Sequence, residues 1–466
     1  VGYYTQVLGL GTWPSDVRFT GHHGIFGPSE EDNNNFNTFW KAAENLANQP
    51  TSGRSIWSVS QAAPLRRVQV SGHSAAIDQQ RCPFQRQWRI YRRRPGRWDF
   101  GFSAAAAVAD PKLQGADVNG TRYFQSTPRA VNFVYLGTTG SPKSSGNCTD
   151  SGRNPVSPVQ VEKPYMSINA DGKYYLHIPQ PIFSGHGVSW EARDDHNDHN
   201  DHTQRVSFEK VFVASNETKL AVINAKLAAG KHVILTPGIY HLSAPIRIGW
   251  NETVQQQVLL GLGMATLIPT AGTAAVEIGP ALGVRVAGVM LQAGQNHSKN
   301  LLWWSQGGDP KNPGLLSDVF ARVGGPDTSK VSAEVMIAVS GSHVVMDNVW
   351  AWRADCCQNG CGTCAVRYCD HGVVVNGDHV TSYGLFSEHC QKDLLVWNGE
   401  HGRSVFFQSE MNSFAREPWD DTPNYGENGV SGYRVNAQHH VGMGIGVYAY
   451  FLQPGNVVAA GHWAES

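Results

Sequence analysis

Two glutamates lie at a spacing that could support acid–base chemistry. They are Glu388 in the segment GLFSEH and Glu410 in FFQSEM. If the chain forms a coil of short strands that repeats at the interval between the two glutamates, neighbouring coils stack at ~4.8 Å. Both glutamate side chains then point the same way. Two carboxylates this close disfavour joint ionisation, which raises the pKa of one of them. Glycoside hydrolysis uses such a pair, one acid for the leaving oxygen and one ionised partner for water. The alternative is a solvent-facing ladder of acids, neutralised by Arg403 or Lys392.

The repeat that would position these glutamates runs through the second half of the chain. The tripeptides at 377–379 (GDH) and 399–401 (GEH) are separated by the same interval as the two glutamates. A related tripeptide at 341–343 (GSH) precedes the first of these by a longer interval, so we expect one coil to carry an insertion. Equivalent inward positions fall at Val349, Leu385 and Phe407. This period predicts a three-sided parallel β-helix, whereas a β-sandwich would not keep the phase.

Two segments show helical patterns. The first, Asn37 to Asn48, has its apolar residues at helical spacing: Phe39, Trp40, Ala43 and Leu46.

The second helical segment runs from Glu217 to Ala229. We expect Ser215 or Asn216 to cap it and Gly230 to end it. The strand-like run HVILTPGIYHL follows. This order resembles the cap that opens many β-helices of the pectate-lyase superfamily, which covers the exposed edge of the first coil.

Length and composition indicate two domains and an elongated repeat. The chain has 466 residues with 50 Gly and 24 Pro, which favours turns over long helices. We place a β-rich domain at 1–193, a polar linker at 194–205 and the β-helix at 206–466. The linker contains DDHNDHNDH, where binding of a divalent metal by His196, His199 and His202 is the alternative to a solvated loop.

Charge and cysteine usage narrow the class of protein. Lys+Arg (37) and Asp+Glu (38) nearly cancel, and no apolar run is long enough to span a membrane. A surface with balanced charge favours a neutral sugar over nucleic acid as the ligand. We interpret the segment 80–100, which contains seven Arg, as an exposed loop. Eight cysteines favour an oxidising compartment, so we expect a secreted protein. The candidates for glycosylation are Asn119, Asn147, Asn216, Asn251 and Asn296.

Five of the cysteines cluster in one loop. The candidates for disulfide bonds are Cys356, Cys357, Cys361, Cys364 and Cys369 in that loop, together with Cys390. A zinc site at the C-x-x-C of Cys361 and Cys364 is the alternative, and it would need a second pair nearby.

Aromatic side chains accompany the coils that carry the glutamates. Exposed rings stack on sugar faces, while buried rings are commoner inside a β-helix. As substrate-binding candidates we take Trp352, Tyr383, Trp397 and Trp419.

The segments WSVSQAAPLRRVQVSG and GLFSEHCQKDLLVWNGEHGRSVFFQSEM resemble glycoside hydrolase family 55. The resemblance implies a β-1,3-glucanase with two tandem β-helices joined side by side, acting with inversion and without a cofactor. It implies that Glu410 is the general acid and that Glu388 orients the attacking water. Gln61 and Ser103 would complete the water site.

Some family positions differ in the first half. Ala104 and Ala105 stand where the resemblance predicts two glycines after Ser103. The sequence therefore predicts a secreted β-1,3-glucan hydrolase, and it leaves open an inactive extracellular structural protein that self-assembles end to end. A glycan-binding module without catalysis is the third option, which would not need the carboxylate pair.

Overall fold

The computed structural model describes residues 1–27, 39–52, 56–57, 61–70, 106–109, 112–113, 118–119, 122–126, 132–137, 150–154, 156–190, 203–325, 330–354, 367–410, 431–448 and 462–464. The chain forms two compact units, Val1–Glu209 and Lys210–Ser466. The tract 194–202 lies outside the described residues. The linker predicted at 194–205 is too long, because Thr203–Ser207 is a strand that pairs with Tyr174–Pro179 of the first unit.

Among the described residues of the first unit, the regular structure consists of strands and a 3₁₀ turn at Pro14–Asp16. Its strands are β1 (Thr5–Leu8), β2 (Arg18–Phe19), β3 (Phe26–Gly27), β4 (Lys41–Asn48), β5 (Ile56–Trp57), β6 (Leu65–Val70), β7 (Ala106–Ala109), β8 (Lys112–Leu113), β9 (Val118–Asn119), β10 (Arg122–Ser126), β11 (Asn132–Leu136), β12 (Asp150–Asn154), β13 (Ser157–Gln160), β14 (Tyr165–Ile168), β15 (Tyr174–Pro179), β16 (Ile182–Gly185) and β17 (Thr203–Ser207).

Parallel pairing dominates the start of this unit. β1, β4, β6 and β7 pair in parallel, and Ala43 of β4 is the register partner of Leu65 of β6. The pairing becomes antiparallel at β10 and β11. Antiparallel pairs β13–β16 and β14–β15–β17 form separate small sheets.

A 3₁₀ turn at Phe208–Lys210 spans the boundary between the two units, and the second unit begins at Lys210. Its strands are β18 (Val211–Ala214), β19 (His232–Leu235), β20 (Ile239–Leu242), β21 (Ile246–Ile248), β22 (Val258–Pro269), β23 (Val276–Ile278), β24 (Arg285–Gln292), β25 (Ser298–Trp304), β26 (Gly314–Val323), β27 (Val331–Val339), β28 (Val344–Arg353), β29 (Arg367–Val375), β30 (Thr381–Glu388), β31 (Leu395–Trp397), β32 (Gly402–Glu410), β33 (Tyr433–Val435), β34 (His440–Tyr448) and β35 (His462–Ala464). The described part of this unit also contains a helix, α1 (Leu220–Ala228).

The second unit is a parallel β-helix. The chain alternates between two sheets, one ordered β18-β19-β22-β24-β26-β28-β30-β32-β34 and the other β21-β23-β25-β27-β29-β31-β33-β35. Side chains that point inward form one continuous apolar core, which includes Val349, Leu385 and Phe407 as predicted. These three residues are register partners on successive coils. The predicted repeat is confirmed.

Each long strand of the first sheet from β24 onward bends at one residue in the left-handed region. The bend residues stack on one another along the solenoid: Gly288 (φ 69°), Asp318 (52°), Asn348 (57°), Gly384 (64°), Phe406 (60°) and Gly444 (67°). The bend shifts by one residue the alternation of side chains between inward and outward directions. Met346 and Val349, three residues apart, therefore both reach the core. One long strand thereby supplies two of the three faces of a coil.

The segment 37–48 is not a helix, contrary to our prediction. Lys41–Asn48 is β4, which lies between β1 and β6. Its Asn45 has a φ of 55°, and Ala43 and Leu46 on either side of this bend are both fully buried. The bend gives inward residues a spacing of three, which imitates the pattern of a helix.

The second predicted helix is confirmed as α1, which begins three residues later than expected. Ile223 and Leu227 are buried in the core of the first coils, and Gly230 (φ 79°) follows the end of the helix. Neither Ser215 nor Asn216 caps it. Ser215 instead forms a turn with Thr218, whose backbone N–H donates to the Ser215 carbonyl (2.9 Å), so Lys219 precedes the helix without a side-chain cap. Among the described residues, no helix is long and apolar enough to span a membrane.

Turns between coils stack as ladders on the outside. A Cβ at Gly377 would lie 1.9 Å from the Gly341 carbonyl oxygen, and one at Gly399 equally close to that of Gly377, so only glycine fits there. The imidazoles of this turn also stack, with ring centroids 4.7–5.0 Å apart. The ladder consists of His343, His379, His401 and His439.

We expect the first coil to lose stability in acid because of His232. Burial lowers the pKa of His232 to about 4, and its Nδ1 accepts a hydrogen bond from the Val258 backbone N–H (3.2 Å). The unfolded chain takes up this proton near pH 6.5, whereas the folded chain resists until about pH 4. The stabilisation is therefore present above pH 6.5 and lost as the pH falls to 4, on the order of 3 kcal/mol.

Denaturant titration at pH 7 and pH 4.5 measures this loss. His232→Asn retains an acceptor but does not titrate, so we expect a smaller loss than in the parent. The same change at the exposed His241 serves as the control. An equal loss in the parent and in His232→Asn would contradict this assignment.

Candidate active site

Glu388 and Glu410 end two neighbouring strands of the β-helix. Glu388 is the last residue of β30 and Glu410 the last of β32, and the two are register partners. Because Leu385 and Phe407 point inward, alternation along each strand directs both glutamates outward. Glu388 is only 3% exposed, while the Glu410 side chain is 15% exposed. The predicted juxtaposition of the two carboxylates is therefore present.

The pair belongs to a longer outward row of register partners. We define the outward row as Arg322, Trp352, Glu388 and Glu410, one residue from each successive coil. Trp352 is partly exposed, and its ring stacks on that of Trp350 at 5.1 Å between centroids. A partly exposed indole beside a carboxylate pair can stack on a sugar ring next to the bond that is cut.

A histidine that we did not predict lies against Glu410. The Nε2 atom of His389 lies 3.2 Å from Oε2 of Glu410, and the imidazole is buried. The backbone N–H of His389 also donates to the Glu410 carbonyl (2.9 Å). His389 directly follows Glu388 in the chain, and its φ of 64° turns the backbone so that its side chain meets the next coil. Only its position next to a candidate glutamate could have drawn attention to it.

Buried arginine holds this turn in place. Arg353 is 1% exposed, and its guanidinium donates to the carbonyls of Arg367 (2.9 Å) and His389 (3.2 Å). The ring atom Nδ1 of His389 lies 3.2 Å from the Arg353 carbonyl oxygen. These contacts fix the segment that connects Glu388 to the next turn.

One predicted disulfide candidate pair is bonded. Cys369 of β29 pairs with Cys390, which follows His389, at a Cα–Cα distance of 5.1 Å. The Cys369 backbone N–H also donates to the side chain of Gln391 (3.0 Å). The other candidates, Cys356, Cys357, Cys361 and Cys364, lie outside the described residues. The bond ties the end of the Glu388 strand to the neighbouring face of the solenoid.

Replacing both Cys369 and Cys390 by Ala should destabilise this coil. The bond closes a loop with a sequence separation of 21, for which chain entropy predicts roughly 3 kcal/mol of stabilisation. We expect a lower urea midpoint in the double variant, and lower activity because Glu388 and His389 lose an anchor. An unchanged midpoint would show that the bond does not stabilise the coil.

Two of the proposed sugar-binding aromatics are wrong. Trp397 is 0% exposed and belongs to the inward core, where it packs beside His440. Tyr383 is also 0% exposed, so its ring offers no face to a sugar. Both residues lie on the expected coils, but residue type does not reveal which way a ring points. Trp419 lies outside the described residues.

The water-site residues predicted from the first half stay predictions. Gln61 is buried in the first unit, four residues before the start of β6 at Leu65. Ser103 lies outside the described residues.

The first unit has its own buried charges. Lys163 Nζ pairs with Glu44 at 2.5 Å, and Gln6 donates to the same carboxylate (2.8 Å). These groups are therefore paired with one another in the interior of that unit.

The fold and the outward row define a class. A parallel β-helix that directs two register-paired carboxylates and a partly exposed indole outward fits an enzyme that hydrolyses polysaccharide, because glycoside hydrolysis uses a pair of carboxylates. Comparison with known proteins makes the class specific.

The LAM55 pectate lyase-like domain matches residues 211–410. An exo-β-1,3-glucanase from Streptomyces sp. (strain SirexAA-E / ActE) is 31% identical over an aligned length of 468. The alignment covers 97% of this chain and 71% of the relative. The structure of sacteLam55A from Streptomyces sp. SirexAA-E is similar with a TM-score of 0.77 and 30% identity, covering 97% of this chain and 78% of that one. A variant of sacteLam55A in complex with glucose has a TM-score of 0.75 and 28% identity, with coverages of 99% and 80%.

This chain belongs to glycoside hydrolase family 55. The predicted fold class, an all-β protein with a right-handed parallel β-helix of the pectate-lyase type, is confirmed. The side-by-side arrangement of two such helices stays a prediction.

Proposed function

We propose that this protein hydrolyses β-1,3-glucan, with Glu410 as general acid and Glu388 as the residue that orients water. The observation that carries the proposal is the register pairing of these two outward glutamates, in a chain with a curated exo-β-1,3-glucanase among its relatives.

The two carboxylates take different roles because their surroundings differ. Glu410 is the more exposed and can reach a glycosidic oxygen, to which it gives a proton as the bond to C1 breaks. Glu388, more deeply buried, accepts a hydrogen bond from the water that attacks C1. This route needs neither a metal ion nor an organic cofactor.

Inversion sets a spatial requirement. Inverting enzymes place water between carboxyl groups ~6.5–9.5 Å apart, whereas neighbouring coils stack at ~4.8 Å. The proposal therefore requires that the attacking water is held to one side of the pair and not directly between the two strands.

The partly exposed Trp352 supports binding of a sugar next to Glu388. The relative from Streptomyces is an exo-β-1,3-glucanase, and the related variant structure contains glucose. We therefore propose that the protein removes glucose from chain ends.

Secretion and N-glycosylation are further parts of the proposal. Among the five sequons, Asn216 and Asn296 are exposed. Asn251 is partly buried, and its side chain accepts a hydrogen bond from the Thr253 hydroxyl (2.7 Å). Asn119 is part of β9, and Asn147 lies outside the described residues. We expect glycans at Asn216 and Asn296 first, which peptide mapping of the protein secreted from a eukaryotic host would detect.

Incubation with defined glucans tests the activity. We expect the protein to release reducing sugar from laminarin between pH 4 and 8, with glucose as the main product, and none from cello-oligosaccharides. Absence of release from every β-1,3-glucan would favour the alternative of a non-catalytic, self-assembling scaffold.

A further inference from the structure

A second group of outward side chains lies on the other sheet of the β-helix. Arg247 of β21, Glu277 of β23 and Trp303 of β25 are register partners, one from each of three successive coils. Their neighbours along each strand point into the core, so these three side chains point outward. Trp250 follows Arg247 by three residues and is 39% exposed, and Trp303 is partly exposed. We define the indole surface as Arg247, Trp250, Glu277 and Trp303.

The indole surface is distinct from the glutamate pair. Glu277 and Glu388 lie on different sheets of the solenoid, and the coil of Glu388 is the fourth after that of Glu277. Strand spacing alone separates these two coils by ~19 Å along the solenoid axis. A sugar unit on the indole surface therefore does not occupy the place where the proposed function puts bond cleavage.

Contact with the next coil holds Trp250 in place. The backbone N–H of Ala281 donates to the Gly249 carbonyl (2.9 Å), and a Cβ at Gly279 would lie 2.9 Å from the Trp250 Cα. The Trp250 indole N–H donates to the Glu277 carbonyl (3.4 Å). The ring is thus fixed before a ligand arrives, which lowers the entropic cost of binding.

The ion pair beside this ring offers hydrogen-bonding groups without net charge. The Arg247 guanidinium carbon lies 4.1 Å from the centroid of the Trp250 ring, and its Nε lies 3.4 Å from Oε2 of Glu277. The Arg247 and Glu277 side chains are 51% and 23% exposed, and an ion pair this exposed contributes little to folding. Arginine donates hydrogen bonds and a carboxylate accepts them, so a ligand meets both kinds of group.

This chemistry matches a neutral sugar chain. The C–H faces of a glucose ring stack on an indole, and its hydroxyl groups both donate and accept hydrogen bonds. An anionic polymer is disfavoured because Glu277 offsets the charge of Arg247. A folded protein partner needs a surface of ~800 Å², which four side chains do not supply.

We propose that the indole surface is a second, non-catalytic binding site for a β-glucan chain, which keeps the polymer on the protein while its ends reach the glutamate pair. The coils of Trp250 and Trp303 lie two strand spacings apart, ~9.6 Å, so neighbouring sugar units of one chain contact the two rings. That the glucan is β-1,3-linked rests on the proposed function.

Binding to curdlan, an insoluble β-1,3-glucan, tests the proposal in the Glu410→Gln background, where the polymer is not consumed. We expect Trp250→Ala combined with Trp303→Ala to weaken binding at least fivefold. Arg247→Gln, at an exposed position, should weaken it at least twofold. Tyr174→Ala is the matched control, since its ring is 45% exposed on the first unit. Undiminished binding in the double variant would overturn the proposal.

Hydrolysis of a short substrate separates binding from folding. With Glu410 intact, we expect the two tryptophan replacements to leave kcat/KM on laminaritriose within twofold of the parent, because three glucose units do not reach from the glutamate pair to the indole surface. An equal loss on laminaritriose would show that the indoles only support the fold. Stronger binding to cellulose than to curdlan would overturn the assignment of the ligand. A dimer in sedimentation velocity that the double variant loses would make the surface a contact between copies instead.

These measurements also distinguish the two proposals. A parent that binds curdlan through the indoles but cleaves no glucan would defeat the proposed function and leave the second site standing. A parent that cleaves laminaritriose, and whose binding to curdlan is unchanged by the replacements, would defeat the second site alone.

Discussion

Glu410→Gln is expected to lower kcat on laminarin on the order of 10³-fold, with little change in KM. The amide has nearly the same shape as the carboxyl group, but it carries no proton that a leaving oxygen could take. The amide keeps the same place beside His389, and the strand pairing of β32 is unaffected because it uses backbone atoms. We therefore expect the thermal midpoint to stay close to that of the parent.

The control for this change is the same substitution on an exposed site of the solenoid. Glu334 of β27 is exposed, and Glu334→Gln should leave both kcat and KM unchanged. A Glu410→Gln variant with more than a tenth of the parent's kcat would remove Glu410 from the role of general acid.

Glu388→Gln is expected to reduce kcat roughly 10²-fold. An amide can still contact water but accepts its proton poorly, so the attack on C1 slows. Glycosidic bond protonation by Glu410 is preserved in this variant. The two roles can be separated with azide, a small nucleophile that needs no deprotonation.

We expect added azide to restore part of the rate of Glu388→Gln, with glucosyl azide as the product, and not to restore that of Glu410→Gln. Steady-state rates on laminaritriose with and without azide measure this difference. If Glu388→Gln loses stability rather than rate, Glu388 is a buried structural acid and the water site must be sought elsewhere.

The site could be predicted from the sequence to the extent that it follows the repeat. Glycines at 377 and 399 recur because a Cβ at either would collide with the preceding coil, so the period of the coils is visible without a structure. The period alone places Glu388 beside Glu410. Corresponding residues of successive coils lie on the same face of a parallel solenoid. The pairing of the two glutamates therefore follows directly from the repeat.

Features that depend on the direction of a side chain were not predictable in the same way. The bend at Asn45 brought Ala43 and Leu46 to one face and led to a wrong helix prediction. Trp397 lies one strand beyond Glu388 but points into the core. The contact of His389 with Glu410 depends on a left-handed backbone angle and on a carbonyl of a strand 36 residues earlier, and neither can be read from residue types.

The most direct test of the central claim is a ¹H NMR time course of laminaritriose with the wild-type protein. The spectrum reports both cleavage of the β-1,3 bond and the anomeric form of the first glucose released. Glu410 acting as acid with a water oriented by Glu388 predicts α-glucose first, followed by mutarotation to the β anomer. Initial release of β-glucose, or no cleavage at all, would contradict the account.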